Sequence, residues 1–372
     1  MKPSWYALIH CRQRLSSYIV KINKQEGVLP QVKNGITVGG CVFVDYLKQI
    51  DFYPGEGMLS IIRSHGMSVG GCVSNTAISL KRLDPALDLK AICCVGDDSA
   101  GEFVREVYTK NGVDTSLFRT IAGVPTGYTD VYAATKGNTR SFFVNPGTNA
   151  IFDNNHIDFD RLDTHILHMG YILLLEKMDS PDDEFETVMA RTLYDAQKRG
   201  VKTSVDMVSE DSDRFKTIVP PSLKYSNYVI INEIEAGRTA GISPRDENGT
   251  LIWERLPAIC EAFIDMGVQD YVVIHCPETG VMMDNKKRFT GMRSLSLPEG
   301  YIKGSVGSGD AFCAGTLLGI YEGLSPEDIL RQANSAAAGC LSSEDGTSGV
   351  GSVENMKKLH ERYAVPDELW TV

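Results

Sequence analysis

Several functional classes are excluded by what the sequence lacks. None of its nine cysteines forms a C-x-x-C pair and most lie in apolar segments, so neither a disulfide framework nor a zinc site is predicted. The most apolar run, "HILHMGYILLL", is far shorter than the roughly 20 residues that span a bilayer. Basic residues are the minority, and the net charge of −11 argues against a nucleic-acid-binding surface. We therefore expect a cytoplasmic protein with no membrane span and no nucleic-acid partner.

Two common nucleotide-binding motifs are also absent from the glycine-rich stretch "GSVGSGDAFCAGTLLGIYEG". Phe312 stands where a dinucleotide-binding G-x-G-x-x-G motif needs its third glycine. No Lys-Ser or Lys-Thr pair follows the glycines, as a P-loop requires. Any phosphate bound by this stretch must be held in another way.

Strand and helix patterns alternate along much of the chain, which predicts a mostly parallel sheet covered by helices. Strands are predicted at "VKTSVDMV", "SNYVIIN" and "DYVVIHC", and helices at "NEIEAGRTAG" and near residues 252–266. A further helix is predicted in "SPDDEFETVMARTLYDAQKRG", with Ser180 as its N-cap and Gly200 at its end. Ligands of such sheets lie beyond the carboxyl ends of the strands.

Residues 48–69 and 124–146 break this alternation with β-rich pieces and no good helix. They predict a small β lid on a main α/β domain of residues 34–47, 70–123 and 147–372; the alternative is two unrelated surface loops. Residues 1–33 are predicted to form an added helix or tail of unreadable function. Their segment "WYALIHCRQR" places apolar residues before arginines, the reverse of a secretory signal.

The glycine-rich stretch raises the question of what Asp310 does. Gly307, Ser308 and Gly309 precede a helix that is predicted to begin near Asp310. Small residues let a ligand approach the backbone, and the free N–H groups at a helix start form an anion site. From these residues alone, Asp310 is either a helix cap or a base beside a bound phosphate.

Other motifs connect this stretch to a known family. "GGCVSNTAISLKRL" places two glycines before Asn75 on the first turn of a predicted helix, and "GITVGGCVFVDY" is a predicted strand with Asp45 at its end. Together with the Gly-Ser-Gly-Asp segment, they resemble the ribokinase or PfkB family of carbohydrate and nucleoside kinases, over roughly residues 35–353. "NPGTNA", "GYILLLE", "INEIEAG" and "ANSAAAGCLSSEDGTSG" follow in the family's order. The resemblance implies a three-layer α/β/α fold with a mostly parallel central sheet and a small β lid.

The resemblance also implies roles for the matched residues. Asp310 would be the general base acting on a sugar hydroxyl, and the backbone N–H groups of Ser308, Gly309 and Asp310, after Gly307, would form the anion hole. The substrate-binding candidates are Asp45, Gly70, Gly71, Asn75, Asn149 and Glu176. The nucleotide-binding candidates are Asn232, Thr279, Gly280 and Asn334.

The implied cofactors are ATP and Mg²⁺. Asn232 and Glu235, three residues apart on a helix, would order the waters around the metal ion. Without the family pattern the same pair reads as an exposed polar face. Likewise Asp45 alone reads as a strand-end turn residue, and Asn75 as a helix residue bonded to its own backbone.

The sequence departs from the family pattern at three places. Gly304 stands where many relatives have an aspartate that helps to form a monovalent-cation site, so potassium activation is in doubt. Cys72 replaces a lysine that contacts a substrate phosphate in phosphosugar kinases, which weakens a phosphosugar assignment. "HCPETGV" replaces a usual Thr-x-Gly pattern with His275 and its two successors, which leaves nucleotide preference open.

The function predicted from these motifs is ATP-dependent phosphorylation of a hydroxyl of a small sugar or sugar derivative. A nucleoside kinase of the same fold remains open, and so does a catalytically silent ligand-binding or regulatory protein. A hydroxymethylpyrimidine kinase is disfavoured, because those relatives tend to have cysteine at the position of Asp310. A homodimer joined through the lid would suit the family.

Overall fold

The structure is a computed structural model that describes residues 34–137 and 139–370. The predicted extension at residues 1–33 lies outside the described residues. Within the described part, no helix combines the length and the apolar character that a membrane crossing requires.

A nine-stranded sheet forms the centre of the described chain. Six neighbouring strands are parallel, and an antiparallel extension of three strands continues one edge. The spatial order is β17 (Leu369–Trp370), β16 (Phe289–Arg293), β15 (Thr279–Asp284), β14 (Tyr271–His275), β13 (Tyr228–Asn232), β12 (Lys202–Met207), β9 (Ile166–Ile172), β1 (Ile36–Gly40) and β4 (Leu89–Ile92). Buried apolar residues fill the central strands on both sides, as expected when helices cover both faces. The predicted α/β class is confirmed.

The helices of the described chain flank this sheet. They are α1 (Cys72–Leu83), α2 (Ser99–Lys110), α3 (Val188–Gln197), α4 (Phe215–Leu223), α5 (Glu233–Ala240), α6 (Arg255–Asp265), α7 (Ser308–Glu322), α8 (Pro326–Cys340) and α9 (Val353–Tyr363). Short 3₁₀ turns lie at Gly147–Ala150 and Asn154–His156.

Helix α7 is buried along most of its length and packs between α8 and α1. Its glycines permit this packing, because a Cβ on Gly315 would lie 2.7 Å from the Cα of Ala333 in α8. The close approach fixes the start of α7, and with it Asp310, at the edge of the central sheet.

A separate four-stranded sheet is formed by β3 (Ile62–Gly70), β2 (Phe43–Ile50), β7 (Tyr128–Ala134) and β8 (Thr139–Asn145), in that spatial order. The two segments predicted as a lid are joined here, because β2 pairs with β7 along seven residues. The alternative of two unrelated surface loops is therefore wrong. Strand β2 is continuous across the predicted boundary between residues 47 and 48.

Two minor strand pairs complete the described chain. Strands β5 (Cys94–Gly96) and β6 (Arg119–Ile121) are parallel, and β10 (Pro181–Asp182) and β11 (Glu186–Thr187) form a short antiparallel ribbon.

The β10–β11 ribbon corrects one prediction of a helix start. Ser180 is not an N-cap; α3 begins at Val188, and the hydroxyl of Thr187 accepts its capping bond from the Ala190 N–H at 3.2 Å. Asp182 Oδ1 accepts the N–H groups of Glu184 and Phe185, which lie in the turn between β10 and β11. The other carboxylate oxygen of Asp182 accepts from Arg191 of α3. This local turn competes with a first helical turn at the same residues.

Candidate active site

The glycine-rich stretch forms the turn that opens α7. Gly307 is its N-cap, with φ at +77°, and a side chain there would collide with the carbonyl of Gly346. The first helical bond runs from Ala311 N to Gly307 O, and Ser308 N donates to Ser305 O at 3.3 Å. Of the three predicted anion-hole donors, Ser308 therefore already has a protein partner, and Gly309 and Asp310 are the stronger candidates.

The Asp310 side chain does not cap its helix. It is only 6% exposed and turns toward α1 and β9. Asn75 Nδ2 donates to Oδ2 at 3.0 Å, Thr76 Oγ1 donates to Oδ1 at 3.4 Å, and the Tyr171 hydroxyl donates to Oδ1 at 2.7 Å. The helix-cap alternative is thus wrong for this side chain.

These surroundings set the acidity of Asp310. Burial raises the pKa of its carboxyl to about 6, against the lowering effect of the donors Tyr171, Asn75 and Thr76. No lysine or arginine of the described chain contributes to this pKa. The carboxyl therefore exchanges its proton within reach of neutral pH, as a general base requires.

Tyr171 and Thr76 were missed from the sequence. Tyr171 lies in the apolar run "HMGYILL", where a tyrosine reads as part of the core, and Thr76 lies within an apolar helix face. Only the packing of β9 and α1 against α7 shows that their hydroxyls reach Asp310.

Asp45 lies elsewhere than predicted along its strand. Strand β1 ends at Gly40, and Asp45 is the third residue of β2 in the smaller sheet. Its carboxylate faces Gly70, where a Cβ would collide with Oδ2. Burial raises the pKa of Asp45, while a bond from the Thr129 hydroxyl lowers it. Gly71 follows with φ at +87°, just before α1, and a Cβ there would lie 2.8 Å from the carbonyl oxygen of Cys41.

Asn149 and Glu176 do not join this cluster. The buried amide of Asn149 bonds both backbone groups of Val42, with its Nδ2 donating to the carbonyl at 2.7 Å and its Oδ1 accepting the N–H at 3.0 Å. Asn149 thus connects the two sheets where the chain passes from one to the other. Strand β9 ends at Ile172, so the placement of Glu176 at its end is wrong; the residue is exposed on the following turn.

Asn232 and Glu235 form a capping box at the start of α5. Asn232 Oδ1 accepts the Glu235 N–H at 2.9 Å, and Glu235 Oε2 accepts the Asn232 N–H at 3.0 Å. Ser209 connects the pair further, because it accepts from Asn232 Nδ2 and donates to Glu235 Oε1. Glu235 is buried, so the reading of this pair as a simple exposed polar face is wrong.

Asp206 is a further acid at this edge that was not predicted. It lies near the end of β12, where its Oδ1 accepts the Met207 N–H at 2.7 Å. Burial raises the pKa of Asp206 well above its ordinary value, and the charges of Glu235 and Asp310 raise it further. No lysine or arginine of the described chain offsets them. The strand-end rule would have found this residue.

Three of the four nucleotide candidates, Thr279, Gly280 and Asn334, lie together on β15 and α8, whereas Asn232 ends β13. A Cβ on Gly280 would lie 3.0 Å from the Phe312 ring and 3.1 Å from Asn334 Oδ1. The Thr279 hydroxyl is buried, donates to Met292 O at 2.7 Å and accepts from an indole N–H. Thr279 therefore has a structural bond in place of a free donor.

A buried polar cluster lies beneath the site. His168, Asp206 and Cys313 offer atoms within 4.8 Å of one another. Burial lowers the pKa of His168 to about 3, so its imidazole is neutral. It bonds Ser204 Oγ at 2.9 Å on one side and contacts Cys313 Sγ at 3.6 Å on the other, which satisfies both nitrogens without an ion.

A helix start opened by glycine at the carboxyl edge of a parallel sheet is a place where α/β proteins bind phosphates and other anions. The model of the pfkB family carbohydrate kinases matches residues 38–351. The ribokinase of Haemophilus influenzae is 21% identical over 321 residues, which cover 86% of this chain and 96% of the relative. The 5-dehydro-2-deoxygluconokinase of Clostridium perfringens is 23% identical over 322 residues, with coverages of 83% and 89%.

The solved structure of Arabidopsis thaliana ribokinase complexed with ribose and ATP has a TM-score of 0.73 at 20% identity, covering 88% of this chain and 98% of that chain. The chain belongs to the pfkB family of carbohydrate kinases, as the motifs predicted. It is a carbohydrate kinase with the ribokinase-like fold.

The raised pKa of Asp310 predicts a stability cost at neutral pH. When a carboxyl holds its proton more tightly in the folded state, the free energy of unfolding of the protein falls as pH rises from about 4 to about 6. The loss persists at higher pH. Asp310→Asn should therefore increase the free energy of unfolding at pH 8 by about 1–3 kcal/mol, and the gain should shrink as pH falls below 6. Denaturant unfolding at both pH values measures this, with exposed Asp213→Asn as the charge-matched control. Equal stability of Asp310→Asn and wild type at pH 8 would contradict the assignment.

Proposed function

We propose that this kinase transfers the terminal phosphoryl group of ATP to a hydroxyl of a small sugar or sugar derivative. The observation that carries the proposal is the placement of Asp310, a buried carboxyl with a raised pKa, beside a helix start that is shaped by glycine. The acceptor's O–H proton passes to Asp310 while its oxygen bonds to phosphorus, and the bond to the leaving ADP oxygen breaks.

Each neighbour of Asp310 has a distinct task in this reaction. Asn75, Thr76 and Tyr171 hold the carboxylate in one orientation, which keeps it aimed at a single acceptor hydroxyl. The N–H groups of Gly309 and Asp310 are available to receive charge that develops on the phosphoryl oxygens. On the side of the cleft where the sugar would bind, the Asp45 carboxylate supplies hydrogen-bond acceptors. Gly70, which has no side chain, leaves room for the sugar.

Mg²⁺ suits the acid-rich edge formed by Asp206, Asn232 and Glu235. Carboxylates without a nearby cation, each raised in pKa, are the donor set that a hard divalent ion takes through its waters. Mg²⁺ would neutralise phosphate charge there. The turn before Gly280 and the buried Asn334, which lie side by side, would receive the rest of the nucleotide. The similar plant ribokinase was solved with ATP bound.

The smaller sheet would act as a lid over this cleft. Its strands carry Asp45 and Gly70, so its position determines both acceptor contacts and water access. Eight free cysteines in the described chain fit a reducing compartment such as the cytoplasm.

A coupled ADP-release assay over free pentoses, hexoses, sugar acids and nucleosides tests the proposed reaction. We expect turnover with at least one sugar, and kcat/KM should fall as pH decreases through about 6, because Asp310 must be ionised. Asp310→Asn should lower kcat by about 10²–10⁴-fold without loss of folding.

Two results would redirect the proposal. Turnover with nucleosides alone would make this a nucleoside kinase of the same fold. If no acceptor supports turnover while ligands still raise the melting temperature, the chain is a silent binding protein.

The monovalent-cation site of the family is altered here. A Cβ on Gly304 would lie 3.0 Å from the carbonyl oxygens of both Ser343 and Glu344, so backbone occupies the space where an aspartate side chain would begin. The Cys340 thiol donates to the carbonyls of Val306 at 3.5 Å and Gly346 at 3.3 Å. Burial raises the pKa of Cys340 to about 12, which keeps this donor protonated. A neutral thiol thus links two carbonyls of the loops around α7.

We therefore predict that turnover does not require potassium. Initial rates in KCl, NaCl and tetramethylammonium chloride at one ionic strength should agree within about twofold, because screening is then equal. The melting temperature should likewise be the same with each of the three cations. A saturable activation by potassium of about tenfold or more, worth about 1.4 kcal/mol, would contradict this prediction.

One face of the smaller sheet suits a second copy of the chain. Leu47, Val131 and Phe142 are neighbours across three strands, and Val144 follows two residues later on the same face. Leu47, Phe142 and Val144 are 42%, 56% and 54% exposed. Val131 between them is buried, so the exposed apolar group consists of Leu47, Phe142 and Val144. Grouped exposed apolar side chains of this kind mark association surfaces. We propose a homodimer joined through this face.

The dimer has a matched test, because Phe142 and Phe143 are adjacent on β8 but point to opposite faces. Light scattering at micromolar concentration should show a dimer for wild type and for Phe143→Lys, and a monomer for Phe142→Lys. A monomeric wild type, or equal behaviour of the two variants, would refute the interface.

A further inference from the structure

His275 lies at the edge where the phosphates would bind. It is the last residue of β14, and its Cα partner in the parallel neighbour β13 is Asn232. Side chains at the carboxyl ends of two adjacent parallel strands share one edge of the sheet. His275 is thus placed beside the Asn232–Glu235 capping box.

The imidazole extends from this edge to the first turn of α7. Its ring packs against Phe312, with centroids 4.9 Å apart at 38°. A Cβ added to Gly309 would lie 3.1 Å from Cε1 and 3.5 Å from Nε2 of His275. The ring therefore lies directly against the backbone whose N–H groups would bind the oxygens of the transferring phosphoryl group. On its other side is the start of α5, where the proposed metal ion would lie.

The ring nitrogens are not used by the protein. Within the described chain, neither nitrogen of His275 has a hydrogen-bond partner, whereas other polar side chains at this edge are engaged. Asn232 Nδ2 donates to Ser209, and the Thr279 hydroxyl donates to Met292 O. Burial lowers the pKa of His275 to about 4, so the free imidazole is neutral and carries one N–H donor.

The other side-chain donors at this edge, those of Asn75, Tyr171 and Asn232, already bond protein acceptors. Asp206, Glu235 and Asp310 are acids, and no lysine or arginine of the described chain contributes to the pKa of Asp206 or Asp310. A polyphosphate entering here needs N–H or O–H groups as well as a metal ion. His275 supplies one from a ring that is already fixed by packing, so little side-chain entropy is lost on binding.

We propose that His275 is a nucleotide-binding residue whose imidazole N–H donates to a phosphate oxygen of the triphosphate received at the start of α7. The inference rests on the proposed ATP-dependent function. It assigns a role to the residue at which "HCPETGV" departs from the Thr-x-Gly pattern. A histidine that only packs against Phe312 would have no influence on phosphate recognition, and this difference can be measured.

Two substitutions separate donation from packing. His275→Phe keeps an aromatic ring against Phe312 but removes the N–H, whereas His275→Gln removes the ring but keeps an amide N–H with similar reach. Calorimetry with Mg²⁺ and the non-hydrolysable analogue AMP-PNP, and separately with adenosine, gives an affinity ratio for the phosphates alone. General loosening of the site changes both affinities and leaves that ratio unchanged.

We expect His275→Phe to weaken AMP-PNP binding by about tenfold or more relative to adenosine, the usual range for a bond to a charged group, and His275→Gln to stay within about threefold of wild type. Any other pattern, in a wild type that binds AMP-PNP, overturns the role of His275 and leaves the kinase proposal standing. If wild type binds neither AMP-PNP nor its guanine counterpart, the ATP-dependent function fails, and the role of His275 fails with it.

Discussion

A carboxylate that is removed from water and held by neutral donors is the interaction on which this site depends. Asp310 is 6% exposed, and its partners Asn75, Thr76 and Tyr171 come from α1 and β9, far from it in sequence. Burial disfavours the charge, and the three donors only partly offset that effect. Such a group keeps its geometry only if α7, α1 and β9 keep theirs. The close packing of glycines in α7 against α8 therefore serves the chemistry as well as the core.

The edge around Asp310 holds acids, while the donors that accompany them are neutral. The charge of Glu235 raises the pKa of Asp206, and burial raises the pKa of Glu235 itself. Cys340 bonds two loop carbonyls as a thiol, and His275 lies against Gly309 as an uncharged imidazole. Neutral donors add no fixed positive charge, so the acids remain unpaired until a cation and an anionic ligand arrive together. Under the proposed function, this arrangement would favour a metal–nucleotide complex over either component alone.

The sequence predicted the parts of this site that depend on local conformation. Gly307 and Gly71, which each precede a helix, have positive φ angles that favour glycine. Gly70 is needed for another reason, because a Cβ there would collide with Asp45. The sequence could not predict Tyr171, since a hydroxyl within an apolar run gives no sign of its partner. Asp45 was misplaced because the apolar pattern of "GITVGGCVFVDY" continues through the crossing from β1 to β2, where the chain changes sheets. Contacts between residues far apart in the sequence determine the positions of both Tyr171 and Asp45. The local pattern of apolar and polar residues carries little information about such contacts.

Strand periodicity connects the acceptor side of the cleft to the apolar face of the smaller sheet. Asp45 and Leu47 are two residues apart on β2, so they share a face, and their partners on β7 are Thr129 and Val131. The Asp45 carboxylate, which the proposed function directs at the acceptor, thus lies on the same face as Leu47 and Phe142. A shift of register by one residue would turn Asp45 from the cleft and bury the apolar row on the other side. In the proposed reaction, whatever covers Leu47 and Phe142 would therefore also fix the position of Asp45 over the acceptor.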